Sequence, residues 1–375
     1  MRKVGIITLY KDSCNYGGLL QAYALTHVLN QMGYEAKQIL PNKYQKDFLK
    51  RTKIQKLHEH GLLYGIELLK KRIERKIKKS EVDENDLIQT RELCRAFREE
   101  TPHTELIDED NLYELNTVFD TFIVGSDQVW NPKWMRDIYL LTFTPKKKLA
   151  YAASIARYDF SKYEMKQLGN ALDSFDWISV RETDAVSFIK KNYNKEVDVV
   201  LDPSMLLLNE TWKQMERKPI EADRYVLCYF LNGTINKRKI AQQLAEEYRC
   251  RVIYPIWVGE THIYNSRNET FLYNIGPREL LWLINHAEFV LTDSFHGTAL
   301  SLVFEKQFLH ILRDTKRTNM NSRIYSLLTK FHLEDRIIDG YGISLIKEIP
   351  YSSINEQLLK ARHKSIELLK LHLEN

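Results

Sequence analysis

The chain opens on an apolar run, Val4 to Leu9, that ends at a polar turn, Asn15-Tyr16-Gly17-Gly18. Beyond the turn, Leu19, Ala22, Leu25, Val28, Leu29 and Met32 recur every three or four positions. That period predicts a helix over 19–32, and Gly33 is its stop, because glycine accepts the left-handed conformation that ends helices. A second apolar run, Ala36–Leu40, follows. Strand, helix, strand with short links is the opening of a parallel sheet.

Residues 43–115 read as an α-rich insertion. Leu62, Ile66, Leu69, Ile73 and Ile77 form one helical stripe whose polar side carries Lys70, Lys71, Arg72, Arg75, Lys76, Lys78 and Lys79. Alternation then resumes, with strands over 121–124, 148–153, 177–180 and 197–201. Pro203 and the polar stretch 209–223 mark a domain boundary. A second set follows: strands over 225–231, 251–256, 289–292 and 308–312, and helices over 237–248, 277–286 and 297–304. Gly276-Pro277 opens the second of these helices. Residues 354–373 form one long amphipathic helix. The pattern predicts an N-terminal α/β domain over 1–205, a C-terminal α/β domain over 206–345, and a last helix, 346–375, that packs back on the first domain. Two doubly wound, Rossmann-like domains facing a cleft suggest a glycosyltransferase-B-like architecture. In such sheets ligands bind outside the carboxyl ends of the strands.

Composition narrows the class. Of the 375 residues 44% are hydrophobic and 28% charged, ordinary values for a globular protein. No apolar run reaches the roughly 18 residues of a membrane span. The first run is too short for a signal peptide, so the expected location is the cytoplasm. The four cysteines form no Cys-x-x-Cys pair and have no histidine cluster beside them, which predicts reduced thiols and no metal site. Net charge is +5, but residues 43–79 hold thirteen Lys and Arg against four Asp and Glu. No nucleic-acid motif accompanies them, and nucleic acid is not an expected partner. Residues 62–79 read either as a helix packed on the first domain with solvated lysines, or as a peripheral contact with the inner face of the membrane.

Four strand ends carry chemistry. Asn15, Tyr16, Gly17 and Gln21 surround the first helix start, where glycine permits close approach and free N–H groups attract anions. Ser126, Asp127, Gln128 and Trp130 follow the strand over 121–124. Asp127 suits a general base, and Trp130 suits stacking on a sugar, or else belongs to the core. Arg181 closes the strand over 177–180 and can bind an anion at two points, unless it pairs with Glu182 or Asp184. His296 sits in Asp293-Ser294-Phe295-His296-Gly297-Thr298 at another helix start. There it can give a proton to a bound anion, or Ser294 caps the helix and His296 is a satisfied neighbour. Arg323 is a further cation at a helix start.

Taken together, Asn15-Tyr16-Gly17-Gly18-Leu19-Leu20-Gln21-Ala22-Tyr23-Ala24-Leu25, Gly125-Ser126-Asp127-Gln128-Val129-Trp130, Ser179-Val180-Arg181-Glu182, Leu201-Asp202-Pro203-Ser204, Ser294-Phe295-His296-Gly297 and Arg323-Ile324 resemble the polysaccharide pyruvyl transferase family, in order and spacing from residue 4 to about 338. The resemblance implies a glycosyltransferase-B-like fold. It also implies phosphoenolpyruvate as donor substrate, no separate cofactor, and a pyruvate ketal on a sugar of an exopolysaccharide or capsule, the acceptor free or lipid-linked. It carries over two residues, His296 and Arg181. With the strand-end chemistry above, His296 and Asp127 are expected in catalysis, Arg181, Ser294, Gly297, Thr298 and Arg323 at the donor, and Asn15, Tyr16, Gly17, Gln21, Ser126, Gln128 and Trp130 at the acceptor. The sequence departs from the family at Ser294-Phe295, where the best-understood members carry Arg-Leu, so one cationic contact to the donor is missing there. A nucleotide-sugar-dependent glycosyltransferase of the same fold and a non-catalytic glycan-binding homologue are the alternatives.

Overall fold

The computed structural model describes residues 1–10, 14–42, 84–133, 135–221, 223–231, 235–256, 268–313, 321–339 and 347–375. The basic stripe over 62–79 lies outside them. Two parallel sheets organise the chain. The first has strand order β3-β2-β1-β4-β5-β6-β7: β1 (Lys3–Ile7), β2 (Glu35–Pro41), β3 (His103–Ile107), β4 (Thr121–Val124), β5 (Lys147–Ala153), β6 (Trp177–Val180) and β7 (Asp198–Val199). The second has the order β10-β9-β8-β11-β12-β13: β8 (Tyr225–Tyr229), β9 (Arg251–Pro255), β10 (Glu269–Leu272), β11 (Phe289–Thr292), β12 (Phe308–Ile311) and β13 (Ile337–Ile338). The central strands β4, β6, β8 and β11 are buried at every position. Burial on both faces explains why they read as unbroken apolar runs.

The helices among the described residues are α1 (Tyr16–Gln31), α2 (Glu84–Glu99), α3 (Lys162–Leu172), α4 (Thr183–Tyr193), α5 (Asn209–Lys213), α6 (Ile235–Glu247), α7 (Pro277–Asn285), α8 (Phe295–Val303), α9 (Ser322–Lys330) and α10 (Tyr351–Glu374). Gly33, at φ +87°, ends the α1 segment as expected. The described part of the 43–115 segment is not all helical. After α2 the chain forms β3, an edge strand on β2, then a 3-10 turn over Glu109–Thr117. Every residue of β3 is half-buried or exposed, so it has no apolar run to betray it.

Three apolar layers hold the molecule. One lies on the outer face of the first sheet, around Phe122, Trp130 and Ile178. Another lies on the outer face of the second, around Val226, Phe289 and Leu309. The third is shared: Leu19, Leu25, Trp212, Tyr229, Leu280 and Leu300 pack together between the sheets. Tyr16 spans this layer, with its ring stacked on Tyr229 at 6.4 Å and its hydroxyl donating to the Ile275 carbonyl at 3.0 Å. Helix α10 starts on the second domain, where the Tyr351 hydroxyl reaches the Lys306 carbonyl at 2.5 Å. It ends on the first, where Leu201 N donates to Ser365 Oγ at 3.0 Å and Arg2 to the Leu373 carbonyl at 2.9 Å.

Candidate active site at the domain interface

The carboxyl ends of β4, β6 and β7 and the starts of α8 and α9 meet at one buried cluster. Asp202, in the turn after β7, is its hub. Oδ2 accepts from Arg181 Nη1 at 2.6 Å and from Ser126 Oγ at 3.0 Å. Oδ1 accepts from the backbone N and the hydroxyl of Ser204, at 3.0 and 2.7 Å. His296 Nε2 faces Oδ2 at 3.7 Å, beyond hydrogen-bond length. Burial pushes the Asp202 carboxyl up, but His296, Arg181 and Ser204 outweigh it and hold it well below the usual carboxylate range.

Arg181 is the second organising group. Its guanidinium lies 4.2 Å from the centre of the Phe295 ring, and Nη2 stands 3.6 Å from Asp127 Oδ1. Burial opposes its charge, yet Asp202, Asp127 and Glu182 raise its pKa above the ordinary value. Glu182 does not pair with it directly; Oε1 accepts from Ser154 Oγ, Ile155 N and Ala156 N and so fixes the loop after β5. Arg323, from the first turn of α9, approaches the same Phe295 ring at 6.0 Å. Burial, with Arg181 and Arg313 nearby, brings its pKa down to about 10.

Four buried nitrogens in this cluster lack a hydrogen-bond partner: Arg181 Nε and Nη2, His296 Nε2 and Arg323 Nε. Arg181, His296 and Arg323 are each 5–6% exposed. Buried donors are nearly always paired, and an unpaired buried charge is expensive. A set of cationic donors left open around one ring is what an anionic ligand would complete.

The other expected site residues are placed differently. Trp130 is wholly buried beneath the first sheet, donates Nε1–H to the Tyr139 carbonyl at 3.2 Å, and packs edge-on against Phe175. It is a core residue and cannot stack on a sugar. Tyr16 is a domain tie, and Gln21 is a buried brace whose amide donates to Thr8 Oγ1 and accepts from Ser126 N. Ser126 spends its hydroxyl on Asp202 and the Ala152 carbonyl. Asn15 is exposed ahead of α1, and half-buried Gln128 accepts from Asn131 Nδ2 at 2.8 Å. On α8, Ser294 Oγ caps the helix by accepting from Gly297 N at 3.3 Å, and Thr298 Oγ1 contacts the Ser294 carbonyl and His310 Nδ1. A side chain at Gly297 would strike Thr292. Ser294, Gly297 and Thr298 therefore position His296 rather than face a ligand. Asp202 and Phe295 join the site without standing among the expected residues; the strand-end rule that selects Arg181 applies equally to Asp202 and is the signal for it.

Two facing parallel sheets with a cationic cluster at their strand ends define a two-domain α/β protein of glycosyltransferase-B-like fold. The family model for polysaccharide pyruvyl transferase matches residues 15–315, and the chain belongs to that family. No curated protein matches it in sequence. Among solved structures it is similar to MnaA of S. aureus, described as a co-structure with UDP, at TM-score 0.52 and 12% identity, covering 100% of this chain and 97% of that one. It is equally similar to a UDP-GlcNAc 2-epimerase of Methanocaldococcus jannaschii, at TM-score 0.52 and 12% identity over 96% and 92% of the two chains. These likenesses concern the fold alone. Among the described residues no helix is long and apolar enough to cross a membrane.

Proposed function

We propose that the chain transfers pyruvate from phosphoenolpyruvate to two hydroxyls of a sugar, forming a ketal and releasing phosphate. The open cationic donors of Arg181, His296 and Arg323 around Phe295 carry this reading. Phosphoenolpyruvate brings a carboxylate and a phosphate, and Arg181 and Arg323 are two separate cations to receive them. Arg323 then supplies the charge missing at Ser294.

The reaction divides among the residues as follows. His296 gives a proton to the methylene carbon, which becomes a methyl group. One sugar hydroxyl adds to the neighbouring carbon and passes its proton to Asp127. The bond from that carbon to the phosphate oxygen breaks, and phosphate leaves with the bonding pair. The second hydroxyl adds to the resulting cation and gives its proton to His296, which the first step left neutral, and the ring closes. The Asp202 carboxylate faces His296 Nε2 at 3.7 Å, close to the proton that moves. Each proton transfer is worth about 10²–10⁴-fold.

The test is ³¹P NMR of the full chain with phosphoenolpyruvate and a set of sugar acceptors. Inorganic phosphate that appears only when an acceptor is present supports the reading. Release of a nucleoside diphosphate from a nucleotide sugar under the same conditions, with phosphoenolpyruvate inert, overturns it.

A further inference from the structure

A cavity of about 580 Å³ opens between the domains beside the reaction cluster. Its inner end is formed by Arg181, Asp202 and Phe295, so it is continuous with the site already described. The outer walls come from both domains. The start of α4 contributes Thr183 and Asp184; one face of α9 contributes Tyr325, Ser326, Thr329 and Lys330. Thr183 N donates to Ser326 Oγ at 3.0 Å, which fixes the two walls at one point.

The chemistry of this lining differs from that of the cluster. Positions 325, 326, 329 and 330 recur at helical spacing, so they share one stripe of α9. That stripe carries three hydroxyls with Leu327 beside them, while Ile324 and Leu328 of the same helix turn into the shared layer. The floor, residues 199–201, is apolar. One acid and one amine, Asp184 and Lys330, leave the outer walls without net charge. Hydroxyls that both donate and accept, an apolar floor and a tyrosine ring 45% exposed suit a neutral polyol with an apolar ring face. They do not suit a second anion. The volume falls within the roughly 300–1,000 Å³ of small-molecule sites.

We propose that this cavity is the acceptor subsite and holds a neutral hexose, with a pair of its hydroxyls turned toward Arg181 and the Asp127 carboxylate that stands 3.6 Å from its Nη2. The inference rests on the pyruvyl-transfer reading. It replaces the acceptor role expected of Tyr16, Gln21 and Trp130, which are buried elsewhere.

The test uses the full chain and a panel of methyl hexopyranosides with gluco, galacto and manno configuration, with their 2-acetamido forms. Saturation-transfer NMR reads sugar binding; the melting-temperature rise on adding phosphoenolpyruvate reads donor binding. At least one glycoside should receive saturation from the unmodified chain. Its signal should fall at least fivefold in Thr329→Trp, which fills the cavity, and in Tyr325→Ala, which removes the ring and leaves the core untouched. The donor-induced shift should persist in both. No transfer to any glycoside, or transfer indifferent to both substitutions while the donor shift persists, overturns the acceptor subsite. Cavity-dependent sugar binding without any donor shift upholds the subsite and instead sinks the pyruvyl-transfer reading.

Discussion

Gly17 of the first domain lies directly against the imidazole of His296 in the second, so that a methyl group built on Gly17 would overlap the ring at Cβ, Cγ and Nδ1. The contact explains why a glycine stands one residue inside α1: the ring needs the space a side chain would fill. Gly17→Ala must displace His296 or part the domains. Misplacing a catalytic group by about 1 Å costs on the order of 10² in rate. We expect kcat to fall by about that factor and the protein to lose the roughly 1–3 kcal/mol that overpacking costs, measured by phosphate release and thermal unfolding.

His296→Gln keeps the shape of the site and removes its acid. Turnover should drop by about 10²–10⁴. The stabilisation of the protein by phosphoenolpyruvate should survive, because Arg181 and Arg323 remain. Thermal shift against turnover, on one preparation, separates the two effects.

Asp202→Asn breaks the hub. Arg181 loses its 2.6 Å partner while staying buried, and loss of one member of such a pair costs about 3–5 kcal/mol. The pH dependence has a definite sign. Folded Asp202 titrates well below the roughly 3.9 of an unfolded aspartate. Between those values the unfolded chain binds more protons, so the carboxylate's contribution is complete above about pH 5 and fades as the solution is acidified. The gap in melting temperature between the native chain and Asp202→Asn should narrow from pH 6 to pH 3.

Arg323 is a buried cation whose Nε has no partner, and it pays for that in stability. Replacement by Met should stabilise the ligand-free protein by about 1–4 kcal/mol, as when buried charge gives way to apolar packing. The same change should weaken phosphoenolpyruvate binding at least tenfold. Thermal unfolding of the ligand-free protein and calorimetric titration with phosphoenolpyruvate check the two effects.

Arg181→Lys keeps one charge and loses the planar group that stacks on Phe295 and reaches Asp202 and Asp127 together. The donor KM should rise at least tenfold and the acceptor KM should change little. Initial rates with each substrate varied in turn decide the point.

The sequence pattern reveals the buried strands of this fold and, at the edges, finds β7 but misses β3 and β10. Strands β4, β6 and β11 fall where apolar runs predict them, because a strand covered on both faces has no polar positions to confuse it. The edge strands β3 and β10 are half-exposed; β3 falls in the segment read as an α-rich insertion, and β10 in a stretch for which the pattern gives no strand. The site follows the same division. Strand-end position, which a sequence shows, selects Asp127, Arg181 and His296. Depth of burial depends on what packs above, and no local pattern distinguishes Trp130 in the core from a tryptophan in a cleft. Asp202 gathers partners 21, 76 and 2 residues away in sequence, a meeting that only the folded chain makes visible.

The last helix has a mechanical consequence. The chain passes from the first domain to the second near residue 208, and α10 carries it back, anchored at Tyr351 on one side and at Ser365 and Leu373 on the other. Arg362 fastens the middle of this strut to the Met205 carbonyl at 2.9 Å, beside the outward crossing. Two crossings pinned together at one end of the interface add to the shared apolar layer and the Tyr16 tie, so that parting the domains means breaking the α10 anchors as well.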